Sequence, residues 1–554
     1  MSTESNPAAP ASTEGEVRAS WVPMIGLFLA QILMSYNVSA LPVSLGGMVE
    51  SFGVPPTDIS TAIVTYGLVV AALVMVGAKI GQRVGWVIVF RVVVAVFAAS
   101  AVLMISAQTV EFVILAQALA GASAAIIVPS LVALIAENYR GAQQATAIGS
   151  LGSARALAGV SAFLIGGTLA TLVGWRQVFV VVLLLAIAVF ILSFRLRGEP
   201  GNPAIKIDIV AAVLIGGGIV SLTLGVNNLN RWGLLSARPD APFDVLGLSP
   251  APLLIVVGLV LVQLFFLWTR RRTKAGNVPL VSLSVFGSSR ERAAVYAMFI
   301  VVALEAALNF SIPLYIQIVQ GRTPFDTSMA MLPFNLTVFF TAMLVVRFYP
   351  RFAPRTIGMF SFGLTTIALV WLSFVVTNNW ETLPTILGLF VFGVGQGALV
   401  TLVFNVLVTA SPKTLAGDVG SVRGTTQNLA SAVGTAVAGA LLVGILSVNV
   451  VSALVDHPEL PPGLVSQVDL ERTNFVSNDR LKEVLEQTDA TPAEVDAAVI
   501  VNEEARLSAL KTGLLVLAAV SALAIVPASR LPRYLPGEVP ESVATGREPE
   551  PDAD

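Results

Sequence analysis

Glu305 stands alone as a charge in an apolar run, AVYAMFIVVALEAALNFSIPLYIQ, from Ala294 to Gln317. A carboxylate at the centre of a bilayer costs at least about 2.5–3.5 kcal/mol, so such residues are rare and usually functional. Its chemistry would be proton uptake and release. Arg155 is the second deep charge, in the apolar stretch 142–172. Arg155 lies 13 residues from Ala142 and Glu305 lies 13 from Arg292. At about 1.5 Å per residue both sit roughly 20 Å along their helices from the same surface. An apolar site favours the neutral acid and a nearby Arg favours the ionised one. Alternation between those surroundings would let one acid load and discharge a proton. The competing reading is a fixed Glu–Arg or Glu–Asn link that holds helices together.

Uncharged polar residues recur at helical spacing in other apolar stretches. Gln31, Ser35 and Ser39 are four apart and share one helical face, with Asn37 and Tyr36 off that stripe. Gln117 precedes Gly121, Asn309 follows Glu305 by four residues, and Gln396 and Asn405 share another stretch. Interhelical hydrogen bonding, at about 0.6–2 kcal/mol per contact, explains each taken singly as well as ligand contact does.

Other chemistries are excluded or weakly supported. The chain has no Cys and a single His, His457, so thiol catalysis, disulfides and His-rich metal sites are absent. The Gly-rich runs Gly393–Gly397 and Gly216–Gly218 have no preceding strand and no following Lys, which argues against phosphate loops. No Ser/His/Asp set or paired membrane acids suggest an enzyme, and no cofactor is expected. A net charge of −2 with no large basic cluster argues against nucleic acid.

The elements that carry these residues must be membrane helices. Of 554 residues, 55% are hydrophobic and 12% charged, with mean hydropathy +0.83. A soluble domain would carry about 25% charged residues. Fourteen blocks reach the roughly 20 residues a bilayer needs. Their expected limits are 21–41, 59–78, 87–107, 112–136, 142–172, 177–194, 209–227, 252–269, 293–319, 327–346, 357–376, 383–410, 419–448 and 512–527. Lys and Arg concentrate on one side, in Arg83, Arg140, Arg195, Arg197, Arg270, Arg271, Arg272, Arg347, Arg351, Arg355 and Lys413. The opposite short loops hold Arg176, Arg231, Arg238 and Arg322. The positive-inside rule then puts both termini in the cytoplasm.

Ile148-Gly149-Ser150-Leu151 in span 5 matches Val419-Gly420-Ser421-Val422 in span 13, and Gln82-Arg83-Val84-Gly85 has a looser echo in Pro350-Arg351-Phe352-Ala353. Parallel six-span repeats with an added pair between them give fourteen. The expected organisation is a disordered cytoplasmic tail (1–19), a six-helix half (20–200), an inserted pair (201–275) and five helices of a second half (276–448). An acidic extracytoplasmic insertion (449–511), span 14 (512–527) and an acidic cytoplasmic tail (528–554) follow. Residues 449–508 carry 12 acids against four bases. Thr491-Pro492-Ala493-Glu494 reads as a capping box starting a helix that runs into span 14, and 478–487 as a shorter helix. The insertion is read as either a lid or docking element beside the outer opening, the latter for a protein partner, or a tolerated surface addition with no direct role.

The chain resembles the fourteen-span drug:proton antiporter family of the major facilitator superfamily. The resemblance runs from Trp21 to Pro527. It rests on Ile312-Pro313-Leu314-Tyr315-Ile316-Gln317 with Gly321, Pro324 and Leu332-Pro333, and on Asn277-Val278-Pro279-Leu280-Val281 with Leu283 and Phe286. Gly174-Trp175-Arg176-Gln177-Val178-Phe179 and the segment from Ala416-Gly417 to Gly434-Thr435-Ala436 add to it. The charged motifs are degenerate. Gln82 and Trp86 replace an acid and a base around Arg83 and Gly85, Leu33 and Gln117 replace charges, and Ala162-Phe163 replaces Gly-Pro.

The resemblance implies an all-α membrane protein of fourteen transmembrane helices, in two six-helix halves plus a central pair, working by alternating access. It implies a cavity lined by spans 1, 4, 9 and 12, and hence by Gln31, Ser35, Asn37, Gln117, Asn309, Gln396 and Asn405. Glu305 and Arg155 become the proton-coupling candidates, and Arg83, Gly85 and Arg351 a conformational latch. The expected substrate is a hydrophobic or amphipathic small molecule, exported with or without protons. A lipid-like metabolite carried without proton coupling, or a non-transporting scaffold docking a partner through 449–511, are the alternatives. The expected location is a cell membrane, the inner one of a bacterium.

Overall fold

The computed structural model describes residues 20–139, 141–239, 241–282, 289–348, 351–409, 416–456, 482 and 491–533. Among them the regular elements are helices, with two isolated β-bridges in the loop around Leu248. We number the helices that follow the expected spans: α1 (Val22–Val43), α2 (Pro56–Val84), α3 (Trp86–Ile105) and α4 (Val110–Asn138). Next is α5 (Gly141–Ser161), which continues through a π-helical turn, Ala162–Gly166, and a short helix, Gly167–Leu172. Then come α6 (Trp175–Ser193), α7 (Ile209–Asn227), α8 (Pro250–Lys274) and α9 (Ser289–Leu314). The last are α10 (Pro324–Leu344), α11 (Pro354–Val375), α12 (Leu383–Thr409), α13 (Ala416–Asp456) and α14 (Pro492–Leu523).

Thirteen of these contain stretches long and apolar enough to cross a membrane. The fourteenth, α13, is more polar, with Asp418, Arg423, Gln427 and Asn428 in its first half. Its 41 residues suffice for the distance, and it packs along α2, α9 and α14.

The packing pairs repeat. In the first half α2 packs on α4, α4 on α3, α3 on α6, and α1 on α5; in the second α10 packs on α12, α12 on α11, α11 on α14, and α9 on α13. The halves meet through α2 against α13 and α5 against α10, which are equivalent contacts under the same correspondence. This is the parallel repeat that the short sequence echoes suggest. The central pair, α7 and α8, pack on each other, and α7 rests on both α2 and α13. Asp208 caps α7 by accepting from the Ala211 N–H at 3.1 Å and pairs with Arg272 of α8 at 3.1 Å. The Gly393 and Gly397 run is a packing surface. A Cβ at either would lie 2.8 Å or 2.6 Å from the α10 carbonyls of Phe334 and Val338.

Two expected boundaries move. α13 continues through Asp456, past the limit at 448; α14 starts at Pro492, where the helix running into span 14 is expected to start, but its apolar crossing covers Asn502–Ala528 rather than 512–527. The second shift arises because Glu503 and Arg506 look like loop residues by charge. In the fold they enter a polar cluster: Tyr315 Oη donates to Asn378 Oδ1 at 2.6 Å, and the Asn378 amide donates to Glu503. Arg506 is buried at 2% exposure. The helix expected over 478–487 lies outside the described residues apart from Lys482, as do both tails (1–19 and 534–554), Arg140 and Lys413.

Candidate functional site

α5 and α9 belong to opposite halves, and each packs mainly on other helices, α1 and α10 for α5 and α13 and α12 for α9. Their two charges nonetheless meet. Arg155 Nη2 lies 3.0 Å from Glu305 Oε2 and donates to it. The side chains are 25% and 20% exposed, so the bond is neither a surface pair nor a sealed one. Both are long enough to reach across the inter-half boundary from helices that need not touch. Arg423, on α13, is close enough to Arg155 for their charges to act on each other.

On the second-half side, two amides on α9 and α12 carry buried polar atoms. Asn309 sits one turn beyond Glu305, and its Oδ1 is buried with no hydrogen-bond partner among the described residues. Gln396 on α12 has 0% exposure, and both its amide atoms are similarly unpartnered. Leaving a buried polar group unsatisfied costs about 1–3 kcal/mol. Such groups call for an explanation that packing does not supply.

The first-half residues are arranged differently. Asn37 Nδ2 donates to Gln117 Oε1 at 2.9 Å, and the residues are 2% and 1% exposed. Gln117 Nε2 points at Met104 Sδ at 3.8 Å. These two amides satisfy one another and tie α1 to α4. Gln31 donates to Ser35 at 2.9 Å along the half-buried face of α1. Asn405 is within α12, and its side chain lies outside what is described.

The latch candidates do not come together. Arg83 and Arg351 are exposed. Gly85 holds φ +105°, a conformation L side chains rarely adopt, and a Cβ there would meet the Gly201 N–H at 3.2 Å. It shapes the turn after α2 against the loop between α6 and α7, where the Asn202 N–H also bonds the Gln82 carbonyl at 2.9 Å. Among the described residues, Lys79 with Asp418 makes an ionic contact between halves at this end, at 3.7 Å and 10% and 16% exposed. Asp418 Oδ2 also accepts from the Ser282 N–H at 2.9 Å. Neither residue is among those expected at the site; Lys79 falls one residue past the expected end of span 2 at Ala78, on a helix that runs to Val84.

A family model for the Major Facilitator Superfamily matches residues 27–435. The chain belongs to that superfamily. A putative multidrug resistance protein MdtD of Enterobacter sp. is 25% identical over 432 residues, covering 76% of this chain and 85% of that one. The multidrug efflux pump LfrA of Mycolicibacterium smegmatis is 25% identical over 461 residues, covering 83% and 86%. Among solved structures, a peptide transporter POT in complex with sulfate superposes with TM-score 0.56 at 15% identity, covering 92% of this chain and 96% of that one. This member of the superfamily is thus an all-helical, multi-span membrane transporter with two repeated halves.

Proposed function

We propose that the protein is a secondary active transporter that exports a hydrophobic or amphipathic small molecule and couples export to protons through Glu305. The Arg155–Glu305 pair carries this reading, because it links the two halves at mid-membrane depth. Alternating access separates and rejoins the halves around a central site. Parting the halves parts Glu305 from Arg155, so the surroundings of the carboxylate change with the movement. Proton uptake is thereby tied to the movement of the halves. Asn309 and Gln396 supply unpartnered amide groups for the polar part of a substrate on the same wall.

The names of the similar chains, multidrug efflux and resistance proteins, support export of drug-like molecules. The Lys and Arg distribution supports cytoplasmic termini, in the inner membrane of a bacterium. Lys79 and Asp418 take the role of inner latch in place of Arg83, Gly85 and Arg351. A lipid-like substrate without proton coupling is the second reading. It is favoured by the Asn37–Gln117 bond, which leaves the first-half wall with those polar groups already satisfied. A docking role for the acidic insertion falls largely on residues outside those described.

The deciding experiment reconstitutes wild type and Glu305→Gln in vesicles and follows ethidium and a fluorescent phospholipid analogue under imposed pH gradients. Gradient-driven ethidium movement in wild type, lost in Glu305→Gln, is the expected result. Unchanged gradient-driven movement in the inserted variant removes the coupling role. Movement of the phospholipid analogue alone, insensitive to the gradient, promotes the second reading.

A further inference from the structure

α1 ends at Val43, and a short helix, Leu45–Phe52, continues the chain after a break at Ser44. In an unbroken helix the Gly46 N–H would bond the Pro42 carbonyl, four residues back. Here both groups turn to one side chain from the opposite half. Gln317 Oε1 accepts from the Gly46 N–H at 2.8 Å, and Gln317 Nε2 donates to the Pro42 carbonyl at 3.0 Å. A carboxamide is a suitable plug for this gap, since it offers one acceptor and one donor on adjacent atoms. Gln317 is 6% exposed, within the π-helical turn Tyr315–Val319 that follows α9. A Cβ on Gly46 would stand 3.0 Å from Gln317 Oε1 and 3.3 Å from its Cβ, so the bare backbone is what lets the amide seat.

This contact lies at the end of α1 and α9 remote from the Lys79–Asp418 pair, on the face that the Lys and Arg distribution assigns to the outside. Beside it, the Phe325 N–H donates to Thr171 Oγ1 at 3.0 Å, also between halves, but that bond is exposed. The Gln317 contact is the buried one, and its energetics are two-sided. With the halves closed, losing the amide leaves the buried Pro42 carbonyl without its side-chain donor and the half-buried Gly46 N–H without its acceptor, which costs stability. With the halves parted, water replaces both bonds at little net loss. A contact of this kind stabilises one position of the halves against the other, as a latch must.

We propose that Gln317 is the latch of the outer gate: its carboxamide, seated in the break of the α1 ladder, holds the central site shut from the outside. The proposal draws on the two-half architecture of the superfamily and on the assigned orientation. It needs neither proton coupling through Glu305 nor a known substrate.

The chain has no native Cys, so one introduced thiol reports without background. Ser39→Cys places it on α1, three residues inward of Pro42 and half-buried. Intact cells carrying this reporter are treated from outside with a membrane-impermeant maleimide. Gln317→Leu and, separately, Gly46→Ala are each expected to raise the labelling rate, by about tenfold for loss of one buried and one partly buried hydrogen bond. Gln317→Glu keeps the acceptor for Gly46 but loses the donor to Pro42, and an intermediate rise is expected. The Gln317→Leu/Gly46→Ala double variant should label no faster than the greater single one, because both remove the same contact. Labelling unchanged in Gln317→Leu and Gly46→Ala, with both at wild-type membrane levels, overturns the proposal. So do additive effects, or a rise confined to reagent on the cytoplasmic side of inverted vesicles. Should one variant fail to insert, the other decides alone. Labelling is read without substrate, so failure here is distinct from failure of Glu305 coupling.

Discussion

Removing one partner of the Arg155–Glu305 pair and removing both should have unequal consequences. A single loss leaves an uncompensated charge, which costs about 3–5 kcal/mol when burial is complete. At 25% and 20% exposure the cost should fall toward or below the lower end of that range. Arg155→Leu is therefore expected to lower the thermal unfolding midpoint in detergent by several degrees, and the Arg155→Leu/Glu305→Leu double variant to regain most of it without regaining gradient-driven transport. A double variant no more stable than the single one would show that the pair is not where the stability lies. Gln396 offers the opposite contrast. With both amide atoms buried and unpartnered, Gln396→Leu should leave the unfolding midpoint equal or raised while reducing transport. Unaltered transport would assign Gln396 to packing alone. The shared depth of Glu305 and Arg155 was legible in the sequence because residue spacing converts directly to height along a helix; their contact was not. The Asn37–Gln117 bond was not, because sequence leaves open how each helix is rotated about its axis, and hence whether an amide faces a cavity or its neighbour.

At the scale of helices, α13 has no apolar crossing stretch among the described residues, yet it packs across the inter-half boundary on α2. Its polar first half looks poorly suited to a membrane, yet those residues face other helices: Gly424 lies against Val74 and Val128, and Thr425 Oγ1 reaches the Ala71 carbonyl at 3.5 Å. Hydropathy cannot distinguish a polar helix in a loop from one enclosed by neighbours. The same ambiguity put the start of span 14 ten residues late, since Glu503 and Arg506 read as solvent-facing until the outer polar cluster was seen. The Lys79–Asp418 contact between α2 and α13 can be tested by exchange. Lys79→Ala or Asp418→Ala should slow transport and raise labelling of a central Cys from the cytoplasmic side. The charge-swapped Lys79→Asp/Asp418→Lys protein should recover in part. Recovery will be incomplete because Asp418 also accepts from the Ser282 N–H, which a lysine cannot do. No recovery, with both single variants impaired, would mean the two residues act separately.

For the whole molecule, the repeated packing of the halves makes the two closures opponents. The buried Gln317 contact joins α1 and α9 at one end, and Lys79 with Asp418 joins α2 and α13 at the other. Both are made at once in this structure, as they must be where a substrate is enclosed. Opening on one side breaks one contact and leaves the other. The two-half layout was legible in the sequence through span count and short repeats, but which residues close each end was not, because each contact pairs positions hundreds of residues apart. If the contacts oppose one another, their losses should offset. Gln317→Leu alone shifts the population outward and Asp418→Asn alone shifts it inward, each by its own differential free energy. In the double variant, outside labelling of Ser39→Cys should fall back toward the wild-type rate, while the enclosed state, having lost both contacts, becomes less populated than in either single variant. Exchange between the open states would then be faster, and wild-type-like partition should accompany quicker equilibration of the reporter between reagents applied to the two sides. Outside labelling in the double variant as high as in Gln317→Leu would mean that the two ends close independently.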